Sequence, residues 1–405
     1  MPLFEAARHE SLGDAAWDES VVRWAIARIA ADAESAFTPD GLFPIHPLDV
    51  SPERANPLKP LYYGAAGVFL ALRRLDERGF AELERDDGYV GALAVLLDLH
   101  RQDSLRLQGT PSLGYLVGDA GILLMRWHTA PSVWIADELA RVIEANRSHP
   151  SLGFAWGAPG SMLAARFMFE RIPEPRWKSL YLALFEELWS AWEYDPTLRC
   201  HLWLHDLYGV REKRLSGLHG LPATLSVMLR ARDWLEPERR RELERRAREA
   251  VLATATREGG QANWPLSAEH LAPGRAQPWR VQHCIGAPGI VNCLASLPSD
   301  SEIDSLFAAA GELIWDAGPV NKLPSLCHGA PGSGYAFLKL FARTGDEKWL
   351  ERARRFAMHA IGQAERGVAQ HGQRKFSLWT GDLGLALYLA DCIDARAEFP
   401  TLDVF

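Results

Sequence analysis

Leu326-Cys327-His328-Gly329-Ala330-Pro331-Gly332-Ser333-Gly334-Tyr335-Ala336-Phe337-Leu338 joins two metal-type side chains to a glycine pair and an apolar run. Its Gly-Ala-Pro-Gly core recurs at Gly157-Ala158-Pro159-Gly160 and at Gly286-Ala287-Pro288-Gly289. Looser Gly-x-x-Gly copies stand at Gly64/Gly67, Gly118/Gly121 and Gly381/Gly384. An imperfect copy, Gly220-Leu221-Pro222-Ala223, lies between the copies at 157 and 286. Each of the seven opens an apolar stretch, at intervals between 39 and 66 residues. The glycine pair permits a tight turn and close packing, and proline suits the first positions of a helix.

Longer amphipathic segments separate the copies. Val22, Ile26, Ile29 and Ala33 share one helical face. Leu243, Ala247, Ala250 and Val251 do the same within residues 236–256, where Arg and Glu alternate on a solvated face. No sustained alternation of the strand type appears. An apolar helix covered by an amphipathic one cannot bury its face alone, so such units must stack. Variable intervals fit closure about a common axis better than a regular solenoid. The expected fold is all-α: a two-layered helical ring of about seven hairpins, one domain over residues 1–405. Two stretches break the rhythm. Residues 38–60 are proline-rich, and residues 194–216 carry Trp203, His205, Asp206 and Tyr208. Both are expected to be loops at the rim of a cleft.

Composition narrows the function classes. Apolar residues make up 48% and charged residues 24%, as in an ordinary soluble globular protein. A net charge of −8 argues against nucleic acid, which needs basic surface to displace counterions. No apolar window is long enough for a transmembrane helix. The N-terminal stretch carries acids and does not read as a signal peptide. Five cysteines in a chain of this length do not form a disulfide framework. Cys200, Cys293 and Cys392 read as buried thiols, and a reducing, cytoplasmic setting is expected.

The two residues before each first glycine define equivalent slots. They read Tyr62-Tyr63, Leu116-Val117, Ala155-Trp156, Leu218-His219, Cys284-Ile285, Cys327-His328 and Trp379-Thr380. Metal-type groups fill only the fourth to sixth slots, which a ring makes neighbours. Cys284, Cys327 and His328 would then converge as three ligands of a catalytic zinc with one position open. Such a site suits thiol activation, since a thiol bound there loses its proton near neutral pH. His219 is a candidate general acid or base in the adjacent slot. Arg280, four residues before Cys284, is a candidate to steady a carbonyl oxygen that gains negative charge.

These residues resemble the lanthionine cyclase family, the LanC and LanC-like proteins. The carriers are SGLHGLPA around His219, R-x-x-x-C-x-G from Arg280 to Gly286, and LCHGAPGSGYAFL around Cys327 and His328. The resemblance spans nearly the whole chain. It implies an α/α toroid with zinc on Cys284, Cys327 and His328, acid/base work by His219, and Arg280 nearby. It further implies that a thiol, peptide cysteine or glutathione, adds to a dehydroamino acid in a dehydrated peptide or protein. FAWGAPGSMLAA and Lys322, five residues before Cys327, are similar to the standalone LanC-like proteins, where that lysine contacts glutathione. QRKFSLWTGDLG resembles a second glutathione-contacting stretch and points, with a displaced arginine, to Arg374. His283-Cys284-Ile285-Gly286 departs from the family's Trp-Cys-Tyr-Gly, which removes a polar group beside the metal. A non-catalytic module binding zinc and glutathione, or a partner protein, is the competing expectation. An α/α-barrel carbohydrate enzyme would need paired carboxylates; the slots contain none, though Asp119 and Asp382 lie within two other copies.

Overall fold

Among the described residues, seven α-helices begin immediately after the first glycine of a repeated motif, and seven others alternate with them. The protein is described by a computed structural model covering residues 2–51, 57–275 and 278–405. The inner helices are α2 (Ala65–Glu77), α4 (Asp119–Thr129), α6 (Ala158–Arg171), α8 (Leu221–Leu229), α10 (Ala287–Leu294), α12 (Ala330–Thr344) and α14 (Asp382–Asp394). The outer ones are α1 (Glu19–Ala36), α3 (Asp86–Gln108), α5 (Val133–Ala145), α7 (Pro175–Ser190), α9 (Pro237–Thr254), α11 (Ser301–Ala317) and α13 (Glu347–His371). Each inner helix touches the next, and α14 touches α2, so the inner layer is a closed ring. The chain is an α/α toroid, as expected.

Burial follows the periodicity. Every residue of α8 and of α10 is buried. Outer helices bury one stripe: Val22, Ile26, Ile29 and Ala33 on α1, and Leu243, Ala247, Ala250 and Val251 on α9. A helix apolar all round must be enclosed, whereas a striped one can face water. No helix among the described residues is long and apolar enough to cross a membrane.

The slots before the inner helices are stitched together around the axis. The Cys284 N–H donates to the Cys327 carbonyl at 2.9 Å, Cys327 to Trp379 at 3.0 Å, and Trp379 to Tyr62 at 3.0 Å. Tyr62 continues to Leu116 at 2.8 Å, and Leu116 to Ala155 at 3.1 Å. The fourth unit is stitched differently: Ser216 Oγ donates to the Cys284 carbonyl at 2.5 Å. Close approach explains the second glycine of each motif. A Cβ on Gly332 would lie 1.9 Å from the Leu326 carbonyl oxygen and 3.2 Å from His283 Cβ. The fourth unit has Ala223 there, and a glycine appears six residues earlier instead. A Cβ on that Gly217 would lie 2.3 Å from the His283 carbonyl oxygen.

The stretch 194–216 is not a plain loop. It holds two antiparallel hairpins, β1 (Glu193–Asp195) with β2 (Cys200–Leu202) and β3 (His205–Leu207) with β4 (Val210–Glu212). Trp203 anchors them by stacking on Trp192 and donating its indole N–H to the Leu188 carbonyl at 2.7 Å. A third hairpin pairs β5 (Thr256–Glu258) with β6 (Gln261–Asn263). Within 38–60, Thr38 pairs with Leu42 and Pro47–Asp49 forms a single 3₁₀ turn. Residues 52–56 of that expected loop lie outside the described residues. The segment before α1 straps across later units: Leu3 is buried, His9 bridges Val320, and the Asn321 N–H donates to the Arg8 carbonyl at 2.9 Å.

Candidate metal centre

Cys284 and Cys327 occupy adjacent slots, and His328 follows Cys327 directly. One donor atom from each of the three lies within 4.8 Å of the others. Donors sharing one tetrahedral ion with bonds near 2.0–2.3 Å stand roughly 3.3–3.8 Å apart, so small side-chain adjustments complete the fit. Two sulfurs and an imidazole are a soft set, one donor short of a tetrahedral shell.

Protonation states agree with this use. The thiol of Cys284 is held below its ordinary value, first by the hydrogen bond from Cys327, with Gln282 and the Lys322 charge assisting. The same contact and burial push Cys327 up. Of the two, Cys284 is the readier to give up its proton to a cation. Burial depresses His328 to about 4, with Lys322 and Lys375 adding to the effect. Its imidazole is therefore neutral and able to ligate. Each sulfur also receives a polar donor: Gln282 Nε2 to Cys284 Sγ and Tyr62 Oη to Cys327 Sγ, both at 2.9 Å.

His328 and Tyr62 open onto a cleft of about 1470 Å³ that is also lined by Tyr63, Trp156, His219 and Lys375. His219 lies half-buried against Trp156, with ring centroids 4.7 Å apart. Its Nδ1 has no hydrogen-bond partner among the described residues. Burial depresses its pKa to about 3, with Arg214 contributing, so the ring is neutral. Ser216 Oγ accepts the His219 N–H at 3.1 Å while it donates to the Cys284 carbonyl, which ties the two slots.

The other expected residues are placed differently. Lys322 is exposed, and its charge reaches Cys284, Cys327 and His328. Arg280 does not line the cleft; its guanidinium pairs with Glu5 at 2.7 Å and donates to the Trp279 carbonyl at 3.1 Å. Arg374 is also away from the cleft. Its side chain is 4% exposed and pairs with Asp32 at 2.6 Å, Glu365 at 2.8 Å and Asp382 at 3.5 Å. The basic residue that reaches the cleft from this stretch is Lys375, paired with Asp49 at 2.9 Å. His283 packs: it is buried, stacks on Phe399 at 4.5 Å and contacts Asn292 through Nδ1 at 3.1 Å. Cys200, Cys293 and Cys392 are buried free thiols. Asp119 and Asp382 are buried against Arg101 and Arg374 and do not line the cleft. They are not an open carboxylate pair.

Sequence reasoning missed Tyr62, Gln282 and Lys375. Tyr62 was within reach, because it fills the slot equivalent to those of Cys284 and Cys327. Nothing in the sequence marks Gln282.

The profile described as lanthionine synthetase C-like protein matches residues 59–404. Glutathione S-transferase LANCL1 of Danio rerio is 36% identical over 148 residues, which cover 36% of each chain. LanC-like protein GCL1 of Arabidopsis thaliana is 30% identical over 150 residues, covering 35% of this chain and 33% of that one. The matched region thus spans about a third of the length of these curated relatives. Among solved structures, nisin cyclase superposes with a TM-score of 0.60 at 15% identity, over 92% of this chain and 94% of that one. That likeness concerns the fold.

Proposed function

The chain belongs to the lanthionine synthetase C-like family, and from that premise we propose that it is a zinc-dependent enzyme joining a thiol to a dehydroamino acid. The observation that carries this reading is the convergence of Cys284, Cys327 and His328 beside a cleft that also exposes His219. Zinc on those three residues would supply the Lewis acidity that keeps a thiol ionised near neutral pH. The thiol is glutathione or a peptide cysteine; the acceptor is a dehydrated residue in a peptide or protein.

The chain's own groups then divide the work. Lys322 places positive charge where an anionic sulfur must sit. Sulfur bonds to the β-carbon as the double-bond pair shifts toward the α-carbon and its carbonyl. His219, neutral at rest, takes the thiol proton and returns it to the α-carbon, so that no proton is gained or lost. Trp156 and Tyr63 give the acceptor apolar walls. Arg280 can steady the enolate oxygen only after leaving Glu5. Free cysteines suit a reducing compartment, and a cytoplasmic location belongs to the same proposal.

Elemental analysis is the first test: wild type should carry one zinc per chain and Cys284→Ala none. Mass spectrometry then follows a dehydroalanine peptide mixed with glutathione. Zinc in the protein but no adduct with any of several thiols would defeat the catalytic reading. A second reading, a module that holds zinc and a thiol without turnover, is favoured by the capture of Arg280. Calorimetric glutathione binding without product would select it.

A further inference from the structure

Resting on that reading, we propose that Tyr62 and Gln282 are positioning residues that quiet the two resident sulfurs, so that the incoming thiol, and not Cys284 or Cys327, attacks the electrophile. Three thiolates around one cation would compete for the same β-carbon. Addition by either resident cysteine would consume the site.

The structure gives each resident sulfur its own donor, from a different part of the ring. Gln282 Nε2 meets Cys284 Sγ, and Tyr62 Oη meets Cys327 Sγ. Both donors are fixed by the backbone. Gln282 and Ile285 exchange N–H···O bonds of 3.1 Å in both directions, closing a small loop around Cys284. Tyr62 is held in the main-chain stitch between Trp379 and Leu116, and its ring stacks on Trp379 at 5.8 Å. A sulfur that accepts a hydrogen bond gives up part of its lone-pair density. It becomes a poorer nucleophile and a poorer donor to the cation, which is left more acidic toward the remaining sulfur. The Tyr62 hydroxyl has one hydrogen, and it is already given to Cys327. Tyr62 thereby supplies, from the first unit, a polar group beside the site.

The test needs no substrate. Zinc-loaded wild type, Tyr62→Phe and Gln282→Leu are exposed to iodoacetamide, and each cysteine is followed by peptide mass. In this reaction sulfur bonds to the methylene carbon and iodide leaves. Tyr62→Phe should speed alkylation of Cys327 by roughly tenfold, the size of one hydrogen bond to a charged group, and leave Cys284 unchanged. Gln282→Leu should do the reverse. Cys200, Cys293 and Cys392 report loosening of the fold. In the cobalt(II)-substituted protein, each variant should move the sulfur-to-cobalt charge-transfer band to lower energy. Unchanged rates with an unmoved band overturn the proposal, and so does a rise shared by the three buried cysteines. A wild type that takes up neither metal overturns both this inference and the reading beneath it, visibly, before any alkylation. Missing thioether product alone touches only the reading beneath.

Discussion

Arg374→Met removes one charge from the fold at nearly constant volume, and the structure sets its cost. Arg374 pairs with Asp32 and Glu365, whose side chains are 30% and 45% exposed. Each of those pairs contributes at most about 1 kcal/mol. Asp382 is different, because it is buried. Burial raises its pKa to about 7, and Arg374 is the main group pulling it down. Stranding a buried charge costs about 3–5 kcal/mol. Asp382 escapes part of that by taking up a proton, so the expected loss at pH 7 is about 2–4 kcal/mol. The pH dependence follows from linkage. A carboxyl whose folded pKa lies above its unfolded value loses stability as pH climbs between the two. In wild type that window runs from 3.8 to about 7. Without the guanidinium it extends higher, and the gap between variant and wild type widens by up to about 1.4 kcal/mol per pH unit above 7. Urea denaturation at several pH values reads the gap, while thiol KM should stay put. Stability unchanged at every pH, with a raised thiol KM, would refute the reasoning and return Arg374 to substrate binding.

Gly332→Ala should lose about 3 kcal/mol or more in urea titration, because its Cβ meets an immovable carbonyl, whereas Ala223→Gly should cost about 1 kcal/mol at most. Equal losses would contradict the stitched ring. Chelator should lower the melting temperature of wild type and leave Cys284→Ala unmoved, since only a site that binds metal can be destabilised by its removal. Lys322→Ala should raise thiol KM by roughly fivefold at low salt and less at high salt, as a screened Coulomb effect requires. Glu5→Gln should speed thioether formation by freeing Arg280; an unchanged rate would retire that arginine from the mechanism.

The ring was legible because its signals are local. A first glycine and the apolar run behind it sit within a dozen residues in all seven copies; six keep the second glycine and four carry an early proline. Convergence of Cys284, Cys327 and His328 followed from equivalence of slots rather than from proximity in the chain. Long-range pairings left no such trace. Arg374 and Asp32 are 342 residues apart, Arg280 and Glu5 are 275 apart, and Tyr62 and Cys327 are 265 apart. A motif match places an arginine on the correct turn but cannot say which carboxylates have already claimed it. The hairpins in 194–216 were missed for another reason. Three-residue strands are too short to show alternation.

Cys327, in the sixth unit, is tied to both sides of the seam where the seventh unit meets the first. Its N–H donates to Trp379, Trp379 donates to Tyr62, and the Tyr62 hydroxyl returns to its sulfur. During synthesis Tyr62 emerges early and waits, the two cysteines follow, and Trp379 arrives near the end. In the folded ring the sulfur's hydroxyl donor comes from the first unit, while the Cys327 N–H is tied to the last, whose α14 packs on α2. The candidate donor centre would then be a clasp as well: cation uptake there would record that the circle has shut, and a chain halted short of its final helix would carry the three donors without the lock.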